Sequence, residues 1–277
     1  MSLITSITNA VSAVFIAMGM RDSNPVSANL VCTGVQTMTL LPLIVLGLPE
    51  LNWMAVAIFA LSGVLAMTLG RLLYFMGVEK IGVAVSSAII GSNPLISTLL
   101  ATLLIGEVID ISTIFGAGLV VTGVYLLSGA QRRSVRIWEL MIPILSAFSY
   151  ALSNVIRKAA LNIQSEPILG AQVGAVAGTI SFLLYLAAAG RLKEVRIGKK
   201  SLVYFSAAGI IASIGWISLM QATKMGRVSV VTTIVFSYPL FSLLLSWFLL
   251  REQESITNEV ITGCVVIVAG VILVSLF

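Results

Sequence analysis

Apolar residues follow one another along this chain in runs of about twenty, the length an α-helix needs to cross a bilayer. Polar residues collect in the short breaks between the runs. Ten runs can be marked, at about 2–20, 26–48, 52–77, 83–106, 110–129, 137–156, 167–189, 201–223, 228–250 and 258–276. The breaks carry turn chemistry, as in Arg21-Asp22-Ser23-Asn24-Pro25, Gly47-Leu48-Pro49-Glu50 and Ser165-Glu166-Pro167, where Pro, Gly and Asx residues stop a helix and turn the backbone. Period-two alternation is absent, and the runs are too long for barrel strands. Backbone groups in lipid must bond within their own segment, so the pattern predicts an all-α membrane protein of ten transmembrane helices. Short breaks make successive spans antiparallel. No charged stretch precedes residues 2–20, so that run reads as the first span and not as a cleaved signal.

The pattern occurs twice. A shift of 145 residues carries Ser92-Asn93-Pro94-Leu95 onto Ser237-Tyr238-Pro239-Leu240, and Glu107 onto Glu252. It also pairs Asn9 with Asn154, Gly70 with Gly215, Val83 and Val85 with Val228 and Val230, and Leu99 and Leu100 with Leu244 and Leu245. Near the end, a two-residue slip pairs Gly116 and Gly123 with Gly263 and Gly270. Each copy holds five spans. Five is odd, so the second copy enters the membrane from the opposite face. The expected domains are a first five-helix repeat over 1–131 and an inverted one over 132–277, related by a pseudo-two-fold axis in the membrane plane. In secondary transporters built this way the substrate site lies near midplane, where the copies meet.

Composition sharpens the class. The chain is 58% hydrophobic and 10% charged, with mean hydropathy +1.09, whereas soluble domains are about a quarter charged. That leaves no room for a sizeable soluble domain. Of sixteen Lys and Arg, eleven fall in the odd-numbered breaks, and Arg157, Lys158, Lys224 and Arg227 fall in the even ones. The bias suits lipid headgroups better than nucleic acid, and by the positive-inside rule it puts the odd breaks in the cytoplasm and both termini outside. Histidine is absent, and Cys32 and Cys264 lie inside apolar runs, where they read as small core residues. No metal cluster, disulfide framework or cofactor site can be assembled from them.

Polar residues inside apolar runs are the candidate site. Arg71 reads as the only charge well inside a span, roughly 9–13 Å from its nearer end at ~1.5 Å per residue. It either binds an anionic group such as a substrate carboxylate, or snorkels or pairs structurally. Asn9 and Asn154 are matching amides, with Tyr150 one turn before Asn154; they bond between helices or line a cavity. Pro94 and Pro239 each remove a helix hydrogen bond and expose carbonyls on the preceding turn, which makes them candidate hinges and makes Asn93 and Tyr238 candidate ligands. Tyr74, Gln172 and Trp216 are further candidates, set against ordinary packing. Glu107 and Glu252 end the fourth span of each copy, where a carboxylate opposes the helix dipole. They read as structural, capping the following helix or pairing with a base such as Arg251.

These marks resemble the drug/metabolite transporter superfamily, specifically its ten-helix EamA-type permeases. The resemblance rests on the Pro-Leu of the fourth span in each copy, the glutamate at its end, and the glycine-spaced fifth span. It implies a 5+5 inverted fold, a central cavity, and export or exchange of small metabolites such as amino acids. Two features depart from it. Such permeases usually carry Trp-Gly in the first span, where this chain has Thr8-Asn9-Ala10, and they are usually drawn with cytoplasmic termini. The expected protein is therefore a non-enzymatic secondary transporter in the cell membrane, monomeric or homodimeric, moving a small-molecule substrate such as an amino acid or related zwitterion by alternating access. The alternative is a non-transporting scaffold or subunit. An intramembrane enzyme needs paired acids, a nucleophile with a base, or a metal, and no predicted span holds an Asp, Glu or His at depth. The same lack leaves proton coupling without a carrier and favours exchange or facilitated diffusion. No Walker-type phosphate loop is present.

Overall fold

The structure, a computed structural model, describes residues 1–45, 50–81, 86, 89–127, 137–238, 240–241, 245 and 258–275. Among them all regular structure is helical, with no strand. Pro239 and Glu252 lie outside the described residues.

The helices begin where the sequence supplies caps. α1 spans Ser2–Gly19, and α2 spans Pro25–Val45. Pro25 opens α2 where a missing N–H costs nothing, and the Asn24 carboxamide accepts from Ser27 N at 2.9 Å. α3, Trp53–Gly63, is capped by Asn52, which accepts from Met54 N and Ala55 N. It runs into a π-helical stretch, Val64–Gly70, and then α4, Arg71–Ile81. The remaining helices are α5 Asn93–Ile105, α6 Ile111–Leu127, α7 Ile137–Ile163, α8 Pro167–Ala188, α9 Lys199–Met225, α10 Val228–Val235 and α11 Asn258–Ser275.

Among the described residues, five helical stretches are long and apolar enough to cross a membrane: Ser2–Asp22, Trp53–Tyr74, Trp138–Ile163, Pro167–Ala188 and Lys199–Met225. Three shorter apolar helices join them, at Asn93–Ile105, Ile111–Leu126 and Ile261–Val274. Two of the expected spans are broken. A turn at Gly91-Ser92 precedes α5, and a turn at Phe236-Ser237 follows α10. The two breaks are built alike. Ser92 N donates to Ile89 O and Leu95 N to Ser92 O; Ser237 N donates to Ile234 O and Leu240 N to Ser237 O. Both serine hydroxyls fold back on the same carbonyls, at 2.6 and 2.7 Å. Pro94 thus stands in the first turn of a new helix, where it removes no interior hydrogen bond. The mid-helix proline expected from sequence is corrected accordingly.

Two further expectations change. α7 does not stop at 156: it continues to Ile163, so Arg157 and Lys158 lie inside a helix and not in a break. Arg71 is therefore not the only charge within a span. Glu107 caps a helix other than the one that follows it in the chain, and Arg251, its other expected partner, lies outside the described residues. Gly106 ends α5 at φ +66°, a conformation glycine adopts without strain. The Glu107 carboxylate then accepts from Val228 N at 2.8 Å, Ser229 N at 3.0 Å and the Ser229 hydroxyl. It is the N-terminal cap of α10, where the dipole favours an anion.

Packing brings distant segments together. α1 lies on α9, and α7 lies on α3; α2 lies on α9, and α3 lies on α8; α5 packs on α7, and α1 on α10. α6 and α11 pack closely through glycines: a Cβ on Gly116 would stand 2.8 Å from Gly270 O, and one on Gly123 2.7 Å from Gly263 O. The connections sort into two groups. Ser23 and Asn24 bond Arg196 O and Glu194 O. On the other side, Gln164 bonds Asn52 N and Glu50 O, Lys224 bonds Ser165 O, and Arg227 pairs with Asp110 at 2.6 Å.

Candidate functional site

Six helices, with Ile90 from just before the Gly91-Ser92 turn, wall a cavity of about 270 Å³, the scale of a small organic molecule. α1 contributes Thr5, Asn9 and Ser12; α7 contributes Tyr150, Asn154 and Arg157. Both trios are spaced i, i+4, i+7, which keeps three side chains on one helix face. α2 adds Cys32 and Gln36, and the π stretch with α4 adds Ala66, Arg71 and Tyr74. α9 supplies Ala212, Gly215, Trp216 and Leu219, while Thr232, Val235, Phe236 and Tyr238 close the wall from α10 and its turn.

The π stretch positions Arg71. Its wider turn resets the face that Arg71 and Tyr74 present relative to α3. α7 holds that turn with a stripe of hydroxyls: Ser146 donates to Gly70 O at 2.6 Å, Ser149 to Leu65 O at 2.8 Å and Ser153 to Ser62 O at 2.7 Å. From the other side, Thr68 donates to Gly178 O at 3.0 Å. The Arg71 Nη1 donates to Asn29 Oδ1 at 3.0 Å, and Asn29 Nδ2 donates in turn to Met67 O at 3.3 Å. One buried amide therefore clamps both the arginine and the turn before it. The Tyr150 phenol lies against the Arg71 guanidinium.

Arg157 is the residue that sequence reasoning missed. It is 1% exposed, so it forms part of the wall and does not project into the cavity. Its Nη1 donates to Asn154 Oδ1 at 3.0 Å, and its Nη2 to the Ser153 hydroxyl at 3.2 Å. Its Cζ sits 4.4 Å from the centre of the Trp216 ring, a cation–π contact of about 2 kcal/mol when desolvated. Trp216 is held in turn by Nε1 donating to Ala171 O at 3.1 Å. The Arg157 Nε has no hydrogen-bond partner among the described residues, nor has Gln36 Oε1. The available signal was the spacing Tyr150, Asn154, Arg157 on one helix face.

Seven of the nine predicted ligand residues meet at this cavity: Asn9, Arg71, Tyr74, Tyr150, Asn154, Trp216 and Tyr238. Two do not line it. Asn93 is fully buried beneath it, donating to Ala147 O at 2.9 Å and accepting from Ser97 at 3.0 Å and from Asn154 at 3.3 Å. Gln172 is buried in α8, and neither of its amide atoms has a partner among the described residues. No acidic residue lines the cavity among those described, and none of them forms a group that could hold a metal ion.

A model of the EamA-like transporter family matches residues 1–129 and 136–276. The chain is 23% identical over 279 residues to an uncharacterized transporter of Archaeoglobus fulgidus, covering 100% of this chain and 97% of that protein. A solved structure, described only as the crystal structure of a protein, superposes with a TM-score of 0.79 at 16% identity, over 99% of this chain and 95% of the other. At that identity the likeness speaks for the fold alone.

Proposed function

This chain belongs to the EamA-like transporter family, and from that premise we propose that it is a secondary carrier in the cell membrane. It moves a small metabolite of amino-acid kind by alternating access, with the carboxylate on Arg71. The observation that carries this reading is the cavity itself, whose wall repeats at the 145-residue shift. Thr5 faces Tyr150 across that shift, Asn9 faces Asn154, Ser12 faces Arg157, Arg71 faces Trp216, Tyr74 faces Leu219, and Ile90 faces Val235. Both members of each pair line the wall.

The packing supports two inverted five-helix repeats over 1–131 and 132–277. The contacts α1–α9 and α7–α3 exchange under the shift, as do α2–α9 and α8–α3. The two matching helix breaks, at Gly91-Ser92 and Phe236-Ser237, support hinges at Pro94 and Pro239. Two near-equivalent halves give inward-open and outward-open states of similar energy, which a carrier needs. The lack of an acid in the described wall favours exchange or facilitated diffusion over proton coupling.

The test is counterflow of radiolabelled amino acids by the purified chain in proteoliposomes. Wild type is expected to accumulate label, and Arg71→Ala and Asn154→Ala to lose most of it. Full activity in Arg71→Ala would remove that residue from the site. Absence of counterflow for every solute tried would favour the alternative of a non-transporting subunit.

A further inference from the structure

We infer that the occupant of the cavity carries a net negative charge: a dicarboxylate or acidic amino acid, not a neutral zwitterion. This deepens the carrier reading and rests on it. The argument begins with the electrostatics of the wall. Two guanidiniums, Arg71 and Arg157, border one cavity. The ion pairs among the described residues, Arg191–Glu194 and Arg227–Asp110, involve neither of them. Their hydrogen bonds go to neutral groups: Asn29 for Arg71, and Asn154 and Ser153 for Arg157.

A buried charge is costly unless it is paired. Neutral amides, a hydroxyl and the Trp216 face soften that cost without cancelling the charge. Inside a membrane the effective dielectric is low, so an uncancelled charge reaches further than it does in water. Both guanidiniums therefore raise the potential of the same small space. A zwitterion that gives its carboxylate to Arg71 brings its ammonium into that positive potential as well. A second carboxylate removes this conflict.

The two arginines play different parts. Arg71 is partly accessible and suits direct contact. Arg157 is walled in and acts through its field. Its Nε has no partner among the described residues, so that part of the charge stays unshared. The tyrosines and Trp216 add apolar and hydroxyl surface suited to a short carbon chain between acid groups.

The experiment measures thermal stabilisation of the purified full chain in detergent by L-glutamate, succinate, L-glutamine and L-lysine at equal concentrations, alongside their counterflow. L-Glutamate and succinate are expected to raise the melting midpoint, and L-glutamine and L-lysine to leave it in place. Arg157→Gln is expected to weaken L-glutamate binding about tenfold, by loss of one of the two positive charges at the cavity. Arg157→Lys, which keeps the charge but not the planar stacking, is expected to retain the preference for L-glutamate. A merely structural arginine would lose binding in both variants and shift no preference. Stabilisation by L-glutamine or L-lysine as strong as by L-glutamate overturns the inference, as does stabilisation by none of the four. Counterflow of L-glutamine without L-glutamate overturns it too, and leaves the carrier reading standing. Stabilisation by L-glutamate with no counterflow supports the anion site and overturns the carrier reading.

Discussion

Gly63→Ala tests the helix crossing that supports the cavity. Gly63 ends α3 where it crosses α8. A Cβ built on Gly63 would stand 2.5 Å from Gly174 Cα and 2.6 Å from Gly174 C, and closer still to the Gly174 carbonyl oxygen. Carbon atoms pack at about 3.5–4.0 Å, so the helices must part by about 1 Å. The obstacle is backbone and cannot rotate aside. The crossing is tight on both sides as well. A Cβ on Gly170 would meet the Phe59 ring at 2.6 Å, and one on Gly178 would meet Met67 Cβ at 2.7 Å. Overpacking costs ~1–3 kcal/mol, and a backbone clash sits at the upper end. Replacing a helical glycine by alanine returns up to ~1 kcal/mol. The expected net loss is about 2 kcal/mol. Gly118→Ala is the control, because a Cβ there meets nothing within 4 Å. It keeps only the propensity gain and should be neutral or stabilising. Melting of both purified variants in one detergent, without ligand, checks the pair. The reasoning fails if Gly63→Ala melts at or above Gly118→Ala. The cavity should feel the same change, since Trp216 Cζ2 lies 3.6 Å from the Cβ position of Gly174.

Glu107→Ala should lower stability by about 2 kcal/mol, since it strips the α10 N-terminus of a charged cap with two backbone donors; melting at the wild-type temperature would refute the cap. Gln172→Leu should be neutral or stabilising by ~1 kcal/mol, because it removes buried polar atoms that have no partner among the described residues. A clear loss of stability there would mean the amide is satisfied, for example by ordered water.

Much of this site was legible before any fold was known. Arg71, Tyr150 and Asn154 stand out because each interrupts an apolar run, and polar groups in lipid are retained only where something uses them. Asn93 stands out for the same reason but serves packing: its carboxamide ties α5 to Ala147 O and Asn154. Sequence pattern cannot separate these two uses. Arg157 was hidden by the same logic that exposed Arg71. A charge near the end of an apolar run reads as the boundary of the span, and here the helix continues past it. The face of Trp216, from a helix distant in sequence, joins Asn154 and Ser153 in making that burial tolerable.

The π stretch was equally silent. Val64–Gly70 reads Val-Leu-Ala-Met-Thr-Leu-Gly, an ordinary helical composition. Its wider turn is held by hydroxyls of α7 and by the contact of Thr68 with α8.

The sequence alone determined the solvent, the helical class and the doubling of the pattern. Those follow from free energies summed residue by residue along the chain: apolar groups leave water, and backbone groups in lipid bond to their own segment. The tertiary structure decided which polar groups share one cavity and which merely hold helices together. That depends on the crossing of helices far apart in the chain, where a shift of one ångström or one residue changes the neighbour each side chain meets.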